Sequence, residues 1–325
     1  MISMGMSRPK VLVTRRIPRA GMVLLEEHVD LDVNEADAPM ARHELLGRLK
    51  GKDGVLCMLS DRIDREVLDA TDRLKVISNY AVGYNNIDVG EASRRGIVVT
   101  NTPGVLREAT ADLTWALLMA VARRIPSSDR YVREGRFTGW RPELFLGLDV
   151  YGRTIGIIGL GDIGAAVGRR AKGFGMTVLY HNRRSSPRAE EIGAELVSLD
   201  ELLGRSDFVS LHVPSVPETW HMIGERELRM MKGTAILVNT SRGEVVDEAA
   251  LVRALQDRRI SGAGLDVYER EPELSPGLAG LDNVVLTPHT GSGTVETRDR
   301  MAVMAATNLV AVLKGERPPN PVRPG

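Results

Sequence analysis

The run Gly159-Leu160-Gly161-Asp162-Ile163-Gly164 constrains what this chain can fold into more than any other segment. It follows the apolar stretch Thr154-Ile155-Gly156-Ile157-Ile158 and opens a helical pattern, Ile163 to Phe174. A strand that runs through three glycines at this spacing into a helix presents backbone amides and the positive end of the helix dipole to a pyrophosphate. Gly159 permits the tight turn, Gly161 lets the phosphates approach, and Gly164 lets the helix pack close. A lone glycine-rich turn also ends strands for steric reasons, so the strand before it and the helix after it carry the inference.

The rest of the chain repeats the same rhythm. Its 325 residues are long for one core, which predicts two domains. From Lys10 to Thr102, short β-branched runs (Val11 to Thr14, Leu31 to Val33, Gly54 to Leu59, Leu74 to Ser78, Ile97 to Val99) alternate with amphipathic segments such as Ala20 to His28 and Arg42 to Leu49. This is the alternation of a parallel α/β unit. Asn101-Thr102-Pro103-Gly104 punctuates it, placing the boundary after Gly104. A long helix with Leu113, Ala116, Leu117 and Ala120 on one stripe is then expected over Glu108 to Arg124. After a Gly- and Arg-rich stretch the alternation restarts at Thr154 and runs to Leu286. Thr294 to Leu313 reads as a final helix, and periodicity does not say which unit it joins. The Pro-rich tail Pro318 to Pro321 is too short to form anything alone.

Charge and composition narrow the function. Lys+Arg and Asp+Glu both number 43, so the chain has no net charge with which to favour nucleic acid or an anionic membrane. Met1 to Lys10 lacks an apolar leader core, and no apolar stretch is long enough to cross a bilayer, so a soluble cytoplasmic protein is expected. The single cysteine, Cys57, lies in Val55-Leu56-Cys57-Met58-Leu59 and reads as a buried structural thiol. His28 and His43 fall on solvated helices, while His181, His212 and His221 lack an acid at a telling position. No pair has metal-ligand spacing with a suitable partner, so no metal site is expected.

The strand Met176 to His181 should end on an acid if the cofactor is NAD, because a carboxylate there grips the adenosine ribose hydroxyls. Asn182-Arg183-Arg184-Ser185 occupies that corner instead. Two guanidinium groups suit the 2′-phosphate of NADP, and the missing acid removes its repulsion, so NADP(H) is the preferred cofactor with NAD(H) possible. Asp162 pulls the other way, because a carboxylate beside the phosphates weakens either cofactor. Arg183 and Arg184 also fit a solvated surface pair.

Three further strand ends carry polar residues that packing does not require: Val238-Asn239-Thr240-Ser241-Arg242-Gly243, Leu265 to Pro272, and Leu286-Thr287-Pro288-His289-Thr290-Gly291. In an open α/β sheet such ends converge on the cofactor crevice. Reducing a 2-oxo acid needs a carboxylate clamp and a proton donor. Arg242 supplies a bidentate fork, His289 the proton, and Glu271 the partner that orients the imidazole and favours its charged form. Each also has a bland reading: Arg242 as a surface clamp, His289 as a loop histidine after Pro288, and Glu271 as a solvated acid in the charged run Glu269 to Glu273.

With these motifs in order, the chain resembles the D-isomer-specific 2-hydroxyacid dehydrogenases, and among them the glyoxylate/hydroxypyruvate reductases. Asn79-Tyr80-Ala81-Val82-Gly83-Tyr84-Asn85-Asn86-Ile87-Asp88, Asp149 to Gly159, Asn239 to Gly243, Asp266 to Pro272 and Pro288 to Gly291 carry the likeness, which spans nearly the whole chain. The resemblance implies an α/β fold of two Rossmann-like domains with parallel sheets, one flavodoxin-like for substrate and one for the dinucleotide, with the active-site cleft between them. It implies that the last helix returns to the first unit, giving a substrate domain of residues 1–104 and 292–325 around a dinucleotide domain of 105–291.

Carried residue by residue, the resemblance makes Arg242, Glu271 and His289 the substrate arginine, the glutamate and the acid/base histidine. It gives the substrate carboxylate to the amides of Val82 and Gly83 with Leu59 nearby, and cofactor contacts to Thr110, Pro214, Thr240, Asp266 and Gly291. It further implies a homodimer, built around the linker and the stretch to Tyr151, in which Trp140 reaches the neighbouring subunit's site; the bland reading of Trp140 is a hydrophobic anchor of the dimer arm. Two positions depart from the pattern: Asp162 stands where an arginine is frequent, and Thr290 replaces a commonly aliphatic residue. The end at Gly325 leads us to expect no regulatory extension of the phosphoglycerate dehydrogenase kind. The expected activity is NAD(P)H-dependent reduction of glyoxylate or hydroxypyruvate. The alternatives are another D-2-hydroxyacid or phosphoglycerate dehydrogenase, or a nicotinamide-sensing, corepressor-like binding protein.

Overall fold

The computed structural model describes residues 7–323, and the chain divides into two compact units. One unit runs to Leu106 and resumes at Gly293; the other spans Arg107–Ser292. Each unit is built on its own parallel sheet.

The first unit holds β1 (Lys10–Val13), β2 (Asp30–Val33), β3 (Gly54–Cys57), β4 (Val76–Asn79) and β5 (Val98–Thr100), in the order β2-β1-β3-β4-β5 with every pair parallel. That order is the flavodoxin-like one. Its strands read as nearly continuous apolar runs because both faces are covered. Val11, Val13, Leu56 and Val76 point to one side and pack on Met301, Ala302, Ala305 and Leu309 of the helix Val295–Leu313. Leu12, Val55, Cys57 and Ile77 point to the other, against Leu45, Val67, Leu68 and Ala92. The helix starts where the Thr294 hydroxyl accepts from the Thr297 amide at 3.2 Å. Side chains fasten it to the sheet: Ser78 Oγ donates to the Ala305 carbonyl at 2.8 Å and Tyr80 Oη to that of Arg298 at 2.7 Å. The Pro-rich tail borrows the edge of β5, where the Val322 amide donates to the Val99 carbonyl at 2.8 Å. Cys57 is fully buried, and burial pushes its thiol well above the ordinary range.

The second unit holds β6 (Thr154–Ile158), β7 (Thr177–His181), β8 (Glu195–Leu196), β9 (Phe208–Leu211), β10 (Ile236–Asn239), β11 (Gly262–Leu265) and β12 (Val284–Leu286). Its order is β12-β11-β10-β9-β6-β7-β8, again all parallel. The chain reverses its direction of winding between β6 and β9, so the glycine turn that follows β6 sits at the switch point where such sheets bind ligands. One face of this sheet is covered by Ala111, Trp115 and Leu118 of the helix Arg107–Ala122, with Trp115 stacked on Phe174 at 4.7 Å. The sequence reading left out one element, the helix Ile125–Arg133, whose signal is Pro126 in its first turn. Arg124, at φ 53°, breaks the chain between the two helices. Among the described residues no helix is long and apolar enough to cross a membrane.

Candidate active site

The sheet of the second unit gathers the polar segments at the ends of β6, β7, β10, β11 and β12. At β6 the glycines behave differently from one another. Gly159 takes φ +98°, and a Cβ there would lie 2.6 Å from the His212 carbonyl oxygen. A Cβ on Gly164 would lie 2.2 Å from the Gly159 oxygen, so only glycine lets the helix Asp162–Gly173 start this close to the strand. Above Gly161 there is open space, with nothing within 4 Å of a Cβ built there. Open space over a helix start, whose first amides have no helical partner, is the cradle a pyrophosphate requires. Leu160, Asp162 and Ile163 complete that turn.

The corner after β7 sorts its residues into two tasks. Asn182 does not face outward: its Oδ1 accepts from the Leu160 amide at 2.8 Å and steadies the glycine turn. Ser186 Oγ donates to the Leu160 carbonyl at 2.8 Å from the same side. Arg183 and Arg184 are exposed and form no ion pair among the described residues. Asp162 is paired with Arg188, so its charge is offset by a guanidinium that sequence reasoning did not single out.

Arg242 follows β10 through a turn tied by the buried Asn239. The Asn239 Oδ1 accepts from the Ser241 amide at 3.0 Å, and its Nδ2 donates to the Arg242 carbonyl at 2.8 Å. The half-buried guanidinium donates to the Ser241 carbonyl at 2.7 Å and forms no ion pair among the described residues. Burial lowers its pKa from the ordinary value, with the charges of Glu244 and Glu271 opposing; a guanidinium nevertheless stays charged. His289 follows β12 at φ 52°. Its Nδ1 lies 2.9 Å from Glu271 Oε2, and the other Glu271 oxygen accepts from the Tyr268 amide at 3.1 Å. Burial raises the Glu271 carboxyl, but the bond to His289, that ring's charge, the Tyr268 amide and Arg242 together hold it below the usual range. Glu271 is therefore a carboxylate at neutral pH, and with Nδ1 engaged by it the Nε2 edge of His289 remains for a substrate oxygen.

Asp266 is the hidden brace of this corner. It is 1% exposed, and its Oδ1 accepts from Thr287 Oγ1 and the Thr290 amide at 2.7 Å each, its Oδ2 from the Gly291 amide at 2.7 Å. Its backbone carbonyl accepts from the His289 amide at 2.9 Å. Those donors occupy both oxygens, so Asp266 shapes the His289 loop. The Thr290 hydroxyl is a further donor to Asp266 Oδ1, at 3.3 Å. Thr110 lies beside Gly291, and Thr240 shares a hydroxyl contact of 2.9 Å with Thr114. Pro214 is exposed after β9. His212, just before it, bonds Ser210 Oγ through Nε2 at 2.8 Å, and burial lowers its pKa to about 3, which keeps it neutral.

One expectation is overturned. His221 does have an acid: its Nε2 lies 3.1 Å from Glu269 Oε1, although 48 residues separate them in sequence. No local spacing rule predicts such a contact, because the segment after β9 and the loop after β11 meet only when the sheet is assembled. Among the described residues no cluster of His, Cys, Asp or Glu could hold a metal ion.

In the first unit, the segment Val82-Gly83 is pinned from behind. Asn101 Nδ2 donates to the Val82 carbonyl at 2.8 Å and Asn79 Nδ2 to that of Gly83 at 2.7 Å. Neither the Val82 nor the Gly83 amide donates to a partner among the described residues. Asn86 Nδ2 donates to the Met58 and Asp61 carbonyls at 3.1 Å each, which holds the turn bearing Leu59. Trp140, in the second unit, is 83% exposed.

A doubly wound sheet with an open glycine cradle at its switch point and an Arg, Glu and His at neighbouring strand ends defines a dinucleotide-dependent oxidoreductase. Comparison with known proteins gives the family. Residues 115–291 match the model of the D-isomer specific 2-hydroxyacid dehydrogenase NAD binding domain. A glyoxylate reductase of Korarchaeum cryptofilum is 56% identical over 317 residues, covering 96% of this chain and 95% of the relative. Among solved structures, the TT0316 protein of Thermus thermophilus is 47% identical at a TM-score of 0.90, over 97% of this chain and 100% of that one. The NADPH-dependent glyoxylate/hydroxypyruvate reductase of Sinorhizobium meliloti, solved with NADP and malonate, is 34% identical at a TM-score of 0.86, over 97% of each chain. The chain belongs to the D-isomer-specific 2-hydroxyacid dehydrogenase family.

Proposed function

We propose that this protein reduces glyoxylate, hydroxypyruvate or a similarly small 2-oxo acid to the D-2-hydroxy acid, with NADPH preferred over NADH. The observation that carries the reading is the 2.9 Å contact between Glu271 and His289 on the same sheet edge as Arg242 and the glycine cradle. A reduced nicotinamide, when bound, supplies the hydride. Arg242 binds the substrate carboxylate and polarises its carbonyl, and His289 gives a proton from Nε2 to the oxygen as negative charge develops there. Glu271 engages Nδ1 and keeps the ring oriented with Nε2 left for the substrate. We also assign substrate contacts to Leu59 and to the amides of Val82 and Gly83, which donate to no partner among the described residues.

The cofactor preference is supported by Arg183 and Arg184, which are exposed and pair with no acid among the described residues where an NAD enzyme carries an acid, and by the pairing of Asp162 with Arg188. We assign pyrophosphate contacts to residues 159–164, adenosine phosphate contacts to Arg183 and Arg184, and cofactor contacts to Thr110, Pro214, Thr240 and Gly291, with Asn182 and Asp266 acting as braces. The protein works as a homodimer. Support comes from Phe137, Trp140, Leu146 and Tyr151, close together in sequence and each between 55% and 83% exposed. Trp140 is the residue we place at the neighbouring subunit's site.

The test is steady-state reduction of a panel of 2-oxo acids with both reduced cofactors, alongside dinucleotide binding followed separately. His289→Gln should lose kcat by roughly 10²–10⁴ while its dinucleotide Kd stays at the wild-type value. Unchanged turnover in that variant, or no turnover of any 2-oxo acid by the wild type, refutes the reading, and a higher kcat/KM with NADH refutes the cofactor assignment.

A further inference from the structure

Glu271 projects from an irregular loop, and such a loop does not hold a carboxylate to within hydrogen-bonding reach of a ring unless something fixes the loop. Two residues earlier, Glu269 has a carboxylate that faces the protein. Its Oε1 lies 3.1 Å from His221 Nε2, and its Oε2 accepts from the Glu248 amide at 3.2 Å. That amide opens the helix Glu248–Gln256, where the helix itself provides no acceptor. The bond is returned: the Glu269 amide donates to Glu248 Oε2 at 3.1 Å, and Glu248 is 4% exposed. His221 is fixed in turn by its own amide, which donates to the Glu244 carbonyl at 2.8 Å, and by Trp220 stacked on its ring at 4.9 Å. The loop also lies directly on the residue after Arg242: a Cβ on Gly243 would fall 1.9 Å from the Tyr268 carbonyl carbon.

We propose that Glu269, held by His221 and the start of the helix Glu248–Gln256, is a positioning residue that sets the Glu271 carboxylate against His289. The two glutamates of Glu269-Arg270-Glu271 thereby divide the work, one anchoring the loop and the other serving the ring. The idea rests on the assignment of Glu271 and His289 made above. It accounts for a partly buried ionisable contact that proton transfer does not use.

The experiment is a double-mutant comparison in the full-length protein, with a second readout that does not depend on turnover. Glu269→Ala should lower kcat on the order of 10²-fold, the scale of loss expected when a reacting group moves by about 1 Å, with little change in dinucleotide Kd. Glu269→Gln, which still accepts from the Glu248 amide, should keep the larger part of the rate. In a Glu271→Gln background, Glu269→Ala should add little further loss, because the carboxylate it positions is already gone. Equal fractional losses in both backgrounds, or full kcat in Glu269→Ala, overturn the proposal. The ¹⁵N–¹H signals of the His289 ring should move in Glu269→Ala, and unmoved signals overturn it independently. His221→Gln, which leaves the helix-start contacts in place, repeats the test if Glu269→Ala does not fold. A wrong assignment of the triad shows separately, as normal turnover in Glu271→Gln with His289 still displaced in Glu269→Ala, which leaves the anchor standing.

Discussion

Arg242 combines three features that a lysine cannot reproduce: a planar fork, a charge that survives burial, and a carbonyl contact that aims it. Arg242→Lys should therefore raise KM for the 2-oxo acid by about tenfold or more, a loss of about 1.4 kcal/mol or greater, with kcat also reduced. An unaltered KM would count against Arg242 as the carboxylate clamp. Glu271 supplies the pH test. Its carboxyl is held below the usual range, so it remains anionic through neutral and mildly acidic pH and keeps its contact with His289 there. Loss of rate through protonation of Glu271 should therefore begin only below the ordinary carboxylate range, and Glu271→Gln, which has no proton to take up there, should lack that acid-side fall. A fall at the same pH in both proteins would deny Glu271 that influence. At this scale the residue types and their strand-end places were readable from sequence, because Arg242, Glu271 and His289 each follow an apolar run that ends a strand. The partners were not: Arg188 for Asp162 lies 26 residues away and Glu269 for His221 lies 48 away, and each pair forms only through the sheet.

The elements were legible wherever burial on both sides of a sheet wrote long apolar runs, as in β1, β3 and β6. They were obscure where tertiary context overrides local pattern. The helix Ile125–Arg133 follows a break at Arg124 and has only Tyr131 buried, so its sequence lacks the broad apolar stripe that announces a packed helix. Short elements are placed by backbone contact, and glycine is the signal. Gly243 admits the Tyr268–Glu269 peptide against its α-carbon, with 1.9 and 2.4 Å left for a methyl group. Gly243→Ala should cost about 1–3 kcal/mol through overpacking and should reduce kcat by displacing the loop that carries Glu271. The denaturation midpoint and the rate would be measured on the same preparation, and wild-type values for both would show that the contact relaxes freely.

For the whole molecule, the apolar residues exposed between Ile125 and Tyr151 predict association. Light scattering should give twice the chain mass, and Phe137→Ser with Leu146→Ser should shift the protein toward the monomer. A wild-type protein that is monomeric at micromolar concentration would remove the dimer assignment. The chain enters and leaves the unit Arg107–Ser292 once each, while the described residues before and after it belong to the other. Heredity therefore meets the coenzyme machinery as one uninterrupted stretch of gene. The glycine cradle, Arg183 and Arg184, Arg242, Glu271 and His289 all fall inside it, whereas Leu59, Val82 and Gly83 fall outside. Two crossovers, near codons 106 and 293, would exchange the proposed coenzyme and acid–base residues in a single event while leaving the proposed substrate contacts of Leu59, Val82 and Gly83 to the recipient.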